Sequence, residues 1–350
     1  MTRGERDTTA PGGATRTRRY VLAERPASPV GPLREGVLRY EEDVPVPELG
    51  AGQVRVGVEW ISLDPATRSW MNDTPGSLPP SPLGEVMRAL GAGTVGASRH
   101  PDFAVGDRAC GLLGLQEDAV VEGAVLRRVP DGVPLQASLN TLGIAGQTAW
   151  LGLRDIGRPR RGETVVVTAA AGAVGSVAVQ LAVAAGARVV GVAGTPEKCA
   201  WVREIGAAEC VDHQAEDVSS ACARLCPDGV DVVFDNVGGA TLDALLPHLA
   251  ADARVVLCGA ISRHQGGSGP DPLHNWFHLL PARARMQGFI YMDHQDRFDE
   301  IEADLLPRVR RGELRSREHV VEGLTAAPAA LHTLFDGTNT GKLLVRVARS

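Results

Sequence analysis

The sequence predicts an α/β fold, a doubly wound parallel sheet joined to a β-rich first domain, and three observations predict it. Strand-like apolar runs alternate with helical segments between residues 165 and 293. Proline and glycine break residues 20–129 into short strands and leave no room for a helical domain. The closing stretch returns to strand character in GKLLVRVA (341–348), so the C-terminus is expected to rejoin the first domain.

With 350 residues the chain has room for about two domains of ~150 residues, and 44% hydrophobic with 22% charged residues is ordinary for a soluble globular protein. The net charge of −6, without a basic run, argues against a nucleic-acid partner. No stretch reaches the ~18 uninterrupted apolar residues of a membrane span. Residues 1–18 lack an apolar segment and read as a disordered tail, not a signal peptide. Cysteines 110, 199, 210, 222, 226 and 258 show neither a CxxC pair nor a disulfide framework, as expected of reduced thiols in a cytoplasmic protein. Lysine is nearly absent. Lys198 and Lys342 are the only two among 36 Lys and Arg residues, which marks both for inspection.

In chain order, RYVLAERP, the run from 36 to 65 with its alternating VRVGVEW, GTVGASR and PDFAVGDRACGL read as strands and turns of the first domain. After Pro130, residues 137–157 carry apolar residues at helical spacing up to Gly157 and predict one helix. Six parallel-type strands follow, VVVT, ARVVGVAG, AECVD, VDVVFDN, ARVVLCG and MQGFIYMD, separated by helices.

The first of these strands runs into AAAGAVG (169–175) and then an apolar helix. Ala170, Gly172 and Gly175 stand at the glycine places of GxGxxG, and with Ala173 and Val174 they form a small-residue turn that exposes backbone N–H groups to a pyrophosphate. About 20 residues later an NAD enzyme carries an acidic residue for the ribose 2′-hydroxyl. Here Gly194 and Thr195 stand instead, with Lys198 at the next helix start, so the expected cofactor is NADP(H). The loops DNVGG (235–239) and CGAIS (258–262) lie at the carboxyl ends of later strands, where ligands bind, and nominate Asn236, Cys258, Gly259 and Ile261. GTNTGK (337–342), with Asn339, Gly341 and Lys342, is either a further cofactor contact or a plain hairpin turn.

Together AAAGAVG, AGTPEKCAW, FDNVGG, CGAIS, RARMQGFI and GTNTGKLLV resemble the medium-chain dehydrogenase/reductase superfamily, and more narrowly its zinc-free leukotriene B4 dehydrogenase, alkenal reductase and curcumin reductase branch. SLDPATRSWMND and LGEVMRA are similar to that branch's substrate-side motifs. The resemblance, over residues 20–348, implies a GroES-like domain (19–142 and 315–350) wrapped around a Rossmann domain (143–314), usually in a homodimer. It implies NADPH-dependent reduction of a double bond conjugated to a carbonyl, with a small enal, enone or quinone as substrate. Zinc-dependent relatives need a cysteine where Ser62, Leu63 and Asp64 stand and a histidine before Glu85, where Gly84 stands, so no metal is expected.

Without a metal, hydride would pass to the β carbon, and a donor acid or water would protonate the α carbon. The tyrosines of relatives are replaced by Ala66, Leu78, His213 and His264 in the corresponding motifs. Tyr291, at the expected end of the sixth strand, and His274, His278 and His294 are the remaining donor candidates. Asn275 and Trp276 are expected to line the cleft, and Asp64 and Arg68 either meet substrate or pair with each other. The missing tyrosines keep open an NADPH:quinone oxidoreductase, a specialised biosynthetic reductase, and a non-catalytic NADP(H)-binding protein.

Overall fold

A computed structural model describes residues 15–28, 31–73, 78–264 and 272–347. The first strands are β1 (Arg16–Leu22), β2 (Leu38–Pro45) and β3 (Gln53–Ser62), followed by α1 (Pro65–Ser69), β4 (Leu90–Ser98), β5 (Arg108–Leu112), β6 (Asp118–Glu122) and β7 (Arg127–Arg128). β1 begins inside the stretch read as a tail, with Thr17 buried, and residues 1–14 of that tail lie outside the described residues. β1 and β2 pair antiparallel as a separate ribbon.

The single helix expected over 137–157 is instead α2 (Leu135–Leu139), α3 (Ile144–Leu151) and a wider π-type turn, Gly152–Gly157. Close packing explains the break. A Cβ on Gly143 would run into the Ser138 carbonyl, and one on Gly152 would come within 2.7 Å of the Phe234 ring, so the glycines let the chain bend against the sheet.

From β8 (Thr164–Val167) strand and helix alternate: α4 (Ala173–Ala184), β9 (Arg188–Ala193), α5 (Pro196–Glu204), β10 (Glu209–Asp212), α6 (Val218–Leu225), β11 (Val230–Asp235), α7 (Gly239–Leu245), β12 (Leu249–Leu257), α8 (Leu279–Ala282) and β13 (Arg285–Gly288). These six strands form one parallel sheet in the order β10-β9-β8-β11-β12-β13, the doubly wound order the alternation predicts. Successive residues face opposite layers. Val165 and Val167 pack with Val177 of α4 and Ala149 of α3, and Val166 packs with Cys222 of α6 and Leu242 of α7.

α9 (Phe298–Arg310), β14 (Glu318–Glu322), α10 (Ala327–Asp336) and β15 (Lys342–Arg346) complete the chain. β15 pairs antiparallel with β3 and parallel with β14, so the C-terminal strand does return to the first sheet, which runs β14-β15-β3-β4-β5-β7 with β6 also on β3. Its core gathers Val54, Val56, Val58, Leu343 and Val345 around Trp70 and Met71. Among the described residues no helix is long and apolar enough to cross a membrane.

Candidate active site

β8 is central and buried, and its exit turn is shaped by residues too small to fill it. Ala169 adopts φ 46°, and Gly172 is the N-cap of α4 without a side-chain cap. A Cβ on Gly175 would run into the Ala169 carbonyl, whereas one on Gly172 would meet only that carbonyl oxygen, at 3.2 Å, and otherwise point into open space. The Ala170 N–H goes to Val192 and the Gly172 N–H to Ala169. Among the described residues no acceptor meets the N–H groups of Ala173, Val174 and Gly175. Three free donors at the positive end of a 12-residue helix, under an open glycine, fit a diphosphate.

The neighbouring strand ends are knitted to this turn. Thr168 Oγ1 donates to buried Asp235 at 2.7 Å, and the Asn236 backbone and side-chain amides donate to Thr168 at 2.8 and 2.7 Å. Burial pushes the Asp235 carboxyl up, against the hydrogen bonds from Thr168, Gly238 and Val237. The N–H groups of Cys258 and Gly259 reach Asp235, and that of Ile261 reaches Asn236, so these four nominated positions converge. His264 closes the short turn Ile261–His264.

At the end of β9, Gly194 leads to Thr195, whose hydroxyl caps α5 by accepting from the Lys198 N–H at 3.2 Å. His213, just past β10, stands over Gly194, where an added Cβ would lie 2.9 Å from its Nε2. The Lys198 ammonium donates to the Gly337 carbonyl at 2.7 Å, and burial lowers its pKa against Asp336 and Glu197. This bond brings GTPEK and GTNTGK, about 140 residues apart in sequence, into one place. Within that loop Asn339 donates to the Gly341 carbonyl at 3.1 Å.

The second lysine marks a feature the sequence reading missed. Lys342, 2% exposed, pairs with Asp64, which also accepts from the Ser62 hydroxyl. The rarity of lysine marks residue 342 in the sequence, but not its partner. Asp64 therefore does not pair with Arg68. The Arg68 guanidinium is buried, donates to Asn72 and the Ser28 carbonyl at 2.8 and 2.6 Å, and leaves Nε without an acceptor.

Tyr291 lies three residues beyond β13, because the sixth strand stops at Gly288 and the chain turns. Its ring stacks on Phe298 at 6.0 Å, and burial first, then the Asp64 charge, pushes its phenol well above the ordinary tyrosine range. His294 is half-buried in the same turn. His274, by contrast, lines a cavity of about 390 Å³ with Ser219 and Asp243, and Asn275 is clamped to Asp243 of α7 at 2.7 Å. Those two sit on the α6–α7 layer, and Trp276 (60% exposed) and His278 face outward. Among the described residues no three His, Cys, Asp or Glu side chains are grouped to hold a metal ion.

The family model described as "N-terminal domain of oxidoreductase" matches residues 18–129, and the one described as "zinc-binding dehydrogenase" matches residues 173–307. The NADPH-dependent curcumin reductase of Escherichia coli (strain K12) is 39% identical over 340 residues, covering 95% of this chain and 97% of that protein. The 2-alkenal reductase (NADP(+)-dependent) of Nicotiana tabacum is 37% identical over 309 residues, covering 87% and 90%. Among solved structures, CurA in complex with NADPH from Vibrio vulnificus superposes with a TM-score of 0.87 at 36% identity, over 95% of this chain and 100% of that one.

Proposed function

Because the chain belongs to the medium-chain dehydrogenase/reductase family, in its zinc-independent branch of curcumin and alkenal reductases, we propose that it reduces the carbon–carbon double bond of α,β-unsaturated carbonyl compounds with NADPH. The observation that carries the reading is the turn 169–175, whose free N–H groups lie at the centre of the parallel sheet. NADPH, when bound, supplies the hydride. Ala170, Gly172, Ala173, Val174 and Gly175 would hold its diphosphate. Gly194, Lys198 and His213 would take the 2′-phosphate, with the Lys198 ammonium leaving Gly337 for it. Asn236, Cys258, Gly259, Ile261, His264, Asn339 and Gly341 would line the remaining length.

Tyr291 is the proton donor in this reading. It is partly buried with its ring stacked on Phe298, whereas His274 lines a cavity on the α6–α7 layer. Residues 19–142 with 315–350 would form the substrate-side domain and 143–314 the cofactor domain. Six free thiols support a reducing, cytoplasmic setting. A homodimer would form through β13, the edge of the parallel sheet, beside exposed Trp276, Phe277 and Leu280.

The test is NADPH consumption with enals, enones, quinones and a saturated aldehyde. Turnover of enals or enones, and none of the saturated aldehyde, is expected. Consumption with quinones alone would replace this reading by a quinone reductase, and tight NADPH binding without turnover by a cofactor-binding protein.

A further inference from the structure

We propose that His213 makes the preference for NADPH over NADH depend on pH: its imidazolium, and not its neutral imidazole, completes the pocket for the 2′-phosphate. The inference rests on the placing of that phosphate at Gly194 and Lys198 and deepens it.

The position follows from the backbone and from a missing side chain. The His213 N–H donates to the Ala193 carbonyl at 3.0 Å, which ties the residue after β10 to the last residue of β9. Gly194 comes next, and a Cβ there would lie 2.9 Å from His213 Nε2 and 3.4 Å from Gln214 Nε2. Glycine thus leaves room for two side-chain nitrogens over one peptide unit. Asp212 Oδ1 accepts the Gln214 N–H at 3.0 Å, which fixes the turn that carries both. Lys198 meets the same place from α5, where Thr195 caps the helix at the Lys198 N–H. His213 and Gln214 are exposed, so an incoming phosphate reaches them directly.

A phosphate monoester carries close to two negative charges at neutral pH. The Lys198 ammonium supplies one positive charge, and it gives up its bond to the Gly337 carbonyl to do so. The balance calls for a second cation. Glu197 of α5 pairs with Arg317 at 3.3 Å and Glu216 with Arg224 at 2.7 Å, while Asp212 accepts from Gln214 and Asp336 from the Thr338 N–H at 2.8 Å. Arg203 of α5 reaches back to the Cys210 carbonyl at 3.0 Å. His213 is the group here whose side-chain type changes charge between about pH 5 and about pH 8. A neutral imidazole offers one N–H and no charge. The imidazolium donates from both nitrogens, so Nε2 becomes a charged donor whichever tautomer the free ring adopts.

The probes are 2′,5′-ADP and 5′-AMP, which differ only in the 2′-phosphate, titrated calorimetrically into the full chain at about pH 8 and about pH 6.5. The sign decides. A phosphate takes up its own proton near pH ~6, so a site built on Lys198 alone weakens as pH falls and releases protons on binding. With His213, affinity for 2′,5′-ADP is expected to rise about threefold to fivefold at the lower pH while that for 5′-AMP stays in place. At about pH 7 binding is expected to take up a few tenths of a proton, read from the heats in buffers of different ionisation enthalpy. The ratio of KM for NADH to KM for NADPH should follow the same course. His213→Gln is expected to abolish the uptake and reverse the trend, and His213→Lys to bind 2′,5′-ADP tightly at both pH values. Because His213 is exposed, both variants should melt with the unsubstituted chain.

An affinity that falls toward acid in the unsubstituted chain, or a rise that survives His213→Gln, would overturn the role of His213 while leaving the phosphate at Lys198. Equal affinity for 2′,5′-ADP and 5′-AMP at every pH removes the phosphate from this turn, and the proposal falls with that placing; turnover of enones with NADPH then judges the reductase reading separately.

Discussion

Lys198 and Gly337 are joined across the two sheets: the Lys198 ammonium donates to the Gly337 carbonyl at 2.7 Å, and Gly337 is the left-handed residue that ends α10. Five residues later Lys342 pairs with Asp64. The turn 337–342 is thus anchored at both ends by the chain's two lysines.

Lys198→Ala is expected to raise KM for NADPH roughly tenfold to a hundredfold, the worth of a charge-assisted hydrogen bond, and to leave KM for NADH in place. Burial lowers the Lys198 pKa, so its charge is lost at a lower pH than an ordinary lysine's. The preference for NADPH should therefore weaken as pH rises toward, and before it reaches, the usual lysine range. Initial rates with both cofactors across pH measure this.

The two glycines of the α4 turn should separate folding from binding. Gly175→Ala forces a Cβ into the Ala169 carbonyl, and a loss of roughly 2–3 kcal/mol in thermal or urea unfolding is expected. Gly172→Ala adds a methyl that meets only one atom at 3.2 Å. It should melt close to the unsubstituted chain yet bind NADPH at least tenfold more weakly, because the methyl occupies the open side of the N–H cradle.

Arg254 closes the bend after α3. It donates to the Gly157 and Arg158 carbonyls, both at 2.9 Å, and to Glu163 at 2.6 Å. Arg254→Met removes the ion-pair partner of the partly buried Glu163, leaving it only the Arg160 N–H, and should cost about 2 kcal/mol by denaturant unfolding. Burial alone would raise the Glu163 pKa, but the Arg254 hydrogen bond and the Arg160 N–H bring it below the ordinary value. A depressed carboxyl stabilises the fold above its unfolded pKa and loses that contribution as pH falls through the folded one. The cost of Arg254→Met should accordingly shrink in acid.

Leu280→Glu places a charge on the apolar surface beside the β13 edge, where Leu280 is 68% exposed. Light scattering after size exclusion should report a shift from dimer toward monomer with the melting temperature little changed. An unchanged mass would move the proposed dimer contact elsewhere.

The sequence by itself determined the parallel sheet, its strand order class and the small-residue turn after β8. Those are local properties: runs such as VVVT followed by AAAGAVG specify a buried strand, a tight exit and a helix start within a dozen residues. It also determined, through two retained lysines, where to look. What those lysines hold was decided only by tertiary structure, since Lys342 and Asp64 are 278 positions apart and meet because β15 returns to pair with β3. The early end of the sixth strand, which brings Tyr291 into a turn against Phe298, and the Asp243 clamp, which keeps Asn275 on the α6–α7 layer, were likewise illegible. Backbone propensity is carried by neighbours in sequence, whereas the pairing of a buried charge depends on which surfaces the finished sheets bring together.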